Sequence, residues 1–164
     1  MPIHSDAFFY ISAVLLGVVA GMRSMMAPAI LALTLARRPE LAPASAPASW
    51  LAMRPVAIVL GLMALGELVA DKLPRTPNRT ALGPFLARMI TGGFTGAAFM
   101  QVGQRNVWIG VACGVIGAIL GTFGGFHARR NADRITGMRD PYIGALEDVI
   151  AIAIAGTVMA MLVP

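Results

Sequence analysis

From Phe8 to Ala36 the chain carries one long apolar stretch in which Arg23 is the sole charged residue and Pro28 the sole proline. A membrane-spanning helix needs about 20 mostly apolar residues. The stretch is too long for one straight crossing and too short for two full ones. It predicts a helix that breaks near Gly21 to Pro28 and continues as a half-helix. A soluble fold has little means of hiding such a stretch here, because the chain is 57% hydrophobic and only 13% charged. Soluble domains carry roughly 25% charged residues. With a mean hydropathy of +0.75, so few charges would leave large apolar patches exposed. The expected class is all-α, a polytopic transmembrane bundle filling one domain over residues 1–164.

Four further helices complete about five spans, at about 55–70, 84–103, 107–127 and 141–162. A Pro/Ala/Ser loop, RRPELAPASAPASW, precedes the second of the five with turn and polyproline character. The loop DKLPRTPNRT follows it, and its prolines at 74 and 77 stop any helix. Arg88 near the start of the next helix is placed to snorkel. No period-2 strand pattern occurs, and the length of the runs excludes a barrel. MPIHSDAFF lacks Lys or Arg ahead of its apolar run and has no nearby cleavage site, so the first helix is read as retained.

The net charge of +5 reads as a topology signal rather than a nucleic-acid footprint. Lys72, Arg75, Arg79 and Arg88 follow the second span, and Arg129, Arg130, Arg134 and Arg139 the fourth. They outnumber Arg37, Arg38, Arg54 and Arg105 on the other side. Loops 71–83 and 128–140 should therefore be cytoplasmic in a multi-pass protein of the bacterial inner membrane. The N-terminus is then inside and the C-terminus outside. If the half-helix after Pro28 crosses fully, the N-terminus moves outside.

Cys113 is the lone cysteine, so no intrachain disulfide forms and a cysteine-based metal site lacks ligands. Met25 and Met26 alone do not make a soft-metal site. No P-loop, GxGxxG, HExxH or GxSxG occurs. No cofactor, metal or catalytic residue is expected, and the chain is not read as an enzyme.

Chemistry concentrates in the charges set inside apolar runs, which cost about 2.5–3.5 kcal/mol each on insertion scales and so face polar interiors. Glu67 and Asp71 share one helix face four residues apart. Asp71 reads as interfacial, with Lys72 as partner, and Glu67 as buried and either functional or paired. Arg23 wants a carboxylate or freed carbonyls, with Glu67 and Glu147 as candidates. It either locks the first helix onto its neighbours or captures an anionic substrate at a broken helix. Glu147 and Asp148 point in different directions, so at least one should face the bundle. Asp148 reads as partner of an arginine in the preceding loop, Glu147 as the mate of Glu67. These five residues are the candidate substrate- or ion-binding set.

Gly110, Gly114, Gly117, Gly121 and Gly125 give small-xxx-small steps along one helix, as do Gly92 with Gly96 and Gly17 with Gly21. Such steps let helices approach closely. His127 reads as interfacial. LLGVVAG (15–21) also resembles VIGAILG (115–121), and each is followed by a helix bearing a glutamate. With one linking helix between them, the two halves would form an inverted repeat, an arrangement common in transporters.

AGMRSMMAP, GELVADKLPRTPNRT, ARMITGGFTGAA, GTFGGFHARR and ALEDVIAI together resemble a family of small bacterial integral membrane proteins, domain of unknown function 4126. ELVADKLP-x-TP-x-R is the most specific part. The resemblance implies a polytopic helical membrane protein and brings no established activity. The residues themselves point first to a small transporter or channel-like protein. Five helices are few to enclose a path, so it would be a homo-oligomer in the lipid bilayer. The alternative is a structural or accessory subunit of a larger membrane complex, with buried charges serving as assembly pairs. A central polar cavity would favour the first, and tight carboxylate–arginine pairs without one the second. A lipid-directed enzyme comes third, with only the ADRITGMRDP loop and His127 as candidates.

Overall fold

The computed structural model describes residues 5–70, 82–136 and 140–163, and every regular element among them is helical. In order these are α1 (Asp6–Met22), α2 (Met26–Arg37), a 3-10 turn (Pro39–Leu41), α3 (Ala48–Leu51), α4 (Arg54–Ala70), α5 (Leu82–Val102), α6 (Val107–Thr136) and α7 (Asp140–Leu162).

α1 starts where the Ser5 hydroxyl accepts from the Phe8 N–H and Asp6 complements the helix dipole. It ends at Arg23, whose extended backbone (φ −140°, ψ 107°) turns the chain out while its N–H still reaches the Val19 carbonyl. The break is therefore confined to Arg23–Met25, inside the wider interval expected. Pro28 does not cause it. That proline lies in the first turn of α2, where a missing N–H removes no intrahelical bond.

The chain turns back after the break. Gln101, near the end of α5, accepts from the Ala48 N–H at 3.0 Å and donates to the Ala46 carbonyl at 2.8 Å. This fixes α3, and with it the start of α4, at the level where α5 ends. Leu33, Ala36 and Arg37 from the end of α2 share a cavity with Arg54, Ala57 and Ile58 from the start of α4. The start of α2 meets Glu67, near the end of α4. α2 is thus antiparallel to α4 and ends near the level where α1 begins, since Phe9 of α1 packs on Phe99 of α5 with ring centroids 5.7 Å apart. Residues 8–36 form a hairpin rather than one broken crossing. With 12 residues, α2 is about 18 Å long, well short of the about 30 Å apolar layer of a bilayer.

α5 and α6 pack as a tight antiparallel pair, with the Asn106 side chain capping α6 by accepting from the Trp108 N–H at 2.9 Å. A Cβ on Gly96 would overlap the Gly110 carbonyl, and one on Gly92 would meet the Gly114 carbonyl and the Ala118 side chain. α1 lies against the same helix. A Cβ on Gly17 would overlap the Gly114 carbonyl, on Gly117 that of Val14, on Gly21 that of Ala118, and on Gly121 that of Val18. Residue numbers rise together along this contact, so α1 and α6 run parallel. The partners also exchange under an offset of 100 residues: 17 with 114 becomes 117 with 14, and 21 with 118 becomes 121 with 18. LLGVVAG and VIGAILG therefore face each other across a local twofold axis that runs along the helices. This corrects the inverted arrangement. The returning α2 adds a reversal that the single-crossing expectation lacks, and it sets both stretches in the same direction.

α6 continues through ARRNADRIT (128–136), a segment expected to be loop. Nothing in it breaks a helix: it contains neither Gly nor Pro. The Pro/Ala/Ser loop likewise holds two short helical elements, one started by Pro39, whose fixed φ suits the first helical position. The core joins Leu16, Val19 and Ala20 of α1 to Leu31 and Leu35 of α2, Phe99 of α5, and Ala151 and Val158 of α7. The outer faces are apolar as well: Ile58, Leu62 and Val69 of α4, Trp108 and Leu120 of α6, and Leu146 and Val149 of α7 are exposed. By length and composition, Val107–Ala128 and Ile143–Leu162 can cross a membrane.

Candidate functional site

Breaking a helix frees backbone donors, and the sequence must supply something to meet them. α2 begins on Met25, which has no capping side chain. Glu67 of α4 takes that role from 42 residues away: its Oε2 accepts from the Met25 N–H at 2.8 Å. Its Oε1 accepts from the Ser24 N–H and the Ser24 hydroxyl, each at 2.8 Å. A carboxylate at this end also complements the positive pole of α2. Glu67 is half-buried, so its depth in the apolar run is explained by three donors rather than by an arginine.

Arg23, one residue before, is 1% exposed. Its Nε donates to Oδ1 of Asp148 on α7 at 2.6 Å. This corrects two expectations. Asp148 pairs with an arginine 125 positions upstream instead of one in the preceding loop, and Glu67 is engaged by backbone rather than by Arg23. Glu147 and Asp148 are both buried. Adjacent helical residues differ by about 100°, and both fit the inward arc of α7. Glu147 lines a cavity of about 140 Å³ with Met22, Ile143, Leu146, Ile150, Ala128 and Gly125. Gly125 thus lines a cavity wall, whereas Gly17, Gly21, Gly92, Gly96, Gly110, Gly114, Gly117 and Gly121 all sit at helix contacts. Glu147 is not the mate of Glu67 either. Under the α1–α6 twofold, the helix after α6 corresponds to α2, not to α4.

Arg88 is buried at 5% exposure, which overturns its expected snorkelling. It lies one turn before Gly92, on the face of α5 that meets α6. Arg23, Arg88, Glu147 and Asp148 are the charged residues buried in the described part of the chain. Asp71 lies outside the described residues. His127 is exposed and stands edge-on to Phe126, with ring centroids 5.5 Å apart. Elsewhere charge pairs are peripheral: Asp6 with Arg105 at 2.6 Å and Arg38 with Glu40 at 3.6 Å.

The arrangement is a hairpin tip held by carboxylates from two other helices, one on its backbone and one on its arginine. Sequence reasoning missed Ser24 and the Met25 N–H. The available signal was a helix start with no capping residue, opposite an unexplained acid. Replacing Glu67 by alanine should destabilise the fold by about 2 kcal/mol, since hydrogen bonds to a charged group are worth about 1.5–3 kcal/mol. Ser24→Ala should have a smaller effect, because both backbone donors keep their acceptor. Unfolding midpoints in detergent would check the order; equal effects would refute the backbone-capping role.

A family model, Domain of unknown function (DUF4126), matches residues 11–164. The chain belongs to the DUF4126 family. The match takes in the whole hairpin tip, with Glu67, Glu147 and Asp148. No curated protein and no solved structure matches the chain.

Proposed function

We propose that this DUF4126 protein is a multi-pass protein of the bacterial inner membrane, of the transporter or channel type, whose path opens and closes at the Arg23–Met25 hairpin tip. The apolar outer faces of α4, α6 and α7 and the two membrane-length helices support the membrane setting. α1, α4 and α5 supply the remaining spans, with α2 returning partway. Basic loops 71–83 and 128–140 then face the cytoplasm, and the start of α1 and the end of α7 face the other side.

One observation carries the transport reading. An interrupted helix, its freed N–H groups and its arginine met by carboxylates from other helices, is the kind of feature on which transport sites with discontinuous helices are built. Arg23, Glu67, Glu147 and Asp148 would exchange their mutual contacts for a proton or a substrate ion, and Arg23 would hold a carboxylate ionised in between. Two protomers or more would enclose the path. In proteoliposomes, Glu67→Gln should abolish most ion flux while gel filtration shows intact folding. Undiminished flux would refute the role.

A second reading is favoured by the tightness of the Arg23–Asp148 pair and by the apolar lining of the cavity beside it. Here the protein is an accessory subunit of a larger membrane complex, and the charges fix its assembly. Purification from native membranes separates the two: stoichiometric partners favour this reading, a self-contained oligomer the first.

A further inference from the structure

At the end of the bundle opposite the hairpin tip, α2 and α4 diverge around a groove of about 790 Å³ lined by Leu33, Ala36, Arg37, Arg54, Ala57 and Ile58. That volume falls in the about 300–1,000 Å³ range of small-molecule sites. Its chemistry is divided. Ala36, Ala57 and Ile58 form an apolar wall, and the exposed line Ile58, Leu62, Leu65 and Val69 continues it along α4. Arg37 and Arg54 stand at the rim, both exposed.

The other arginines at this end have carboxylate partners, Arg38 with Glu40 and Arg105 with Asp6. Among the described residues no carboxylate pairs with Arg37 or Arg54. Arg37 is in the last turn of α2, where a cation suits the helix dipole. Arg54 is the first residue of α4, where the dipole disfavours a cation. A guanidinium in that place, facing a second one across a groove, builds up positive potential that the described chain leaves uncompensated.

We propose that this groove binds one phospholipid with an anionic headgroup, its phosphate between Arg37 and Arg54 and an acyl chain along the apolar line of α4. Basic pockets between membrane helices bind anionic headgroups on the cytoplasmic side, and the same pairing of guanidinium with phosphate is available to this groove at the other face. The inference rests on the membrane reading above and on nothing in the transport reading. It assigns the groove an occupant that contributes both missing elements, a negative charge at the rim and hydrocarbon on the exposed face.

The test is native mass spectrometry of detergent-purified full-length protein with added phosphatidylglycerol, phosphatidylcholine or inorganic phosphate. The expected result is retention of one phosphatidylglycerol per chain, with little phosphatidylcholine and no effect of inorganic phosphate. Arg37→Ala with Arg54→Ala should weaken that retention about thirtyfold, on the order expected for two basic groups near a lipid surface. Arg38→Ala should leave it unchanged. Equal retention of the two lipids, an unaffected double variant, or displacement by inorganic phosphate would each overturn the proposal. Carbonate extraction of cell membranes tests the membrane reading separately. A chain that stays in the membrane yet shows no anionic preference sinks only the lipid site, and one released to the supernatant sinks both.

Discussion

Replacing Arg23 by leucine should destabilise the protein by about 3–5 kcal/mol, the penalty for leaving one member of a buried ion pair without the other. Asp148 is the residue left behind, at 8% exposure and 2.6 Å from the lost Nε. The same reasoning gives a rescue. Arg23→Leu combined with Asp148→Leu removes both members of this pair, and apolar replacement of a buried pair is often neutral or stabilising. The double variant should be measurably more stable than the single one. Arg23→Lys should recover little, because a lysine ammonium does not reproduce the placement of Nε. The measurement is thermal unfolding in detergent for the three variants. A single variant as stable as the parent, or a double variant no better than the single, would show that the pair does not hold the hairpin tip.

Alanine at Gly114 and alanine at Gly66 should shift stability in opposite directions. In a helix interior, Gly to Ala ordinarily adds up to about 1 kcal/mol. Gly66 on α4 has nothing within 4 Å of where its Cβ would stand, so it should show that gain. At Gly114 the new methyl would overlap the Gly92 carbonyl, while the Gly114 carbonyl itself lies where a Gly17 Cβ would stand. Three helix backbones meet there with no flexible side chain to give way. Overpacking costs about 1–3 kcal/mol when side chains adjust, and Gly114→Ala should fall at or above the top of that range. Unfolding midpoints read both effects, and a stabilised Gly114→Ala would mean that α1, α5 and α6 are not in backbone contact.

What the sequence made visible was local. Helix existence followed from apolar run length, and the break near Arg23 followed from a charge in a stretch too long for one span. The return of α2 was not visible, because its 12 residues fall below any spanning length. What fixes its direction is Gln101 and Glu67, residues far along the chain. The buried charges could be picked out by their expense, but not matched. Four candidate acids, Glu67, Asp71, Glu147 and Asp148, competed for Arg23, and choosing Asp148 requires knowing that α7 packs against α1. Arg88 misled for a related reason. Being near a helix start usually brings a side chain to the interface, but here Gly92 draws that face of α5 against α6.

Arg23 leaves the ribosome 125 residues before Asp148. At about 5–20 residues per second, that interval lasts roughly 6–25 s. Throughout it the nascent chain holds an arginine whose acidic counterpart has not yet been made. A chain that ends before residue 148 would lack this partner altogether, and with it the tie between the hairpin tip and α7.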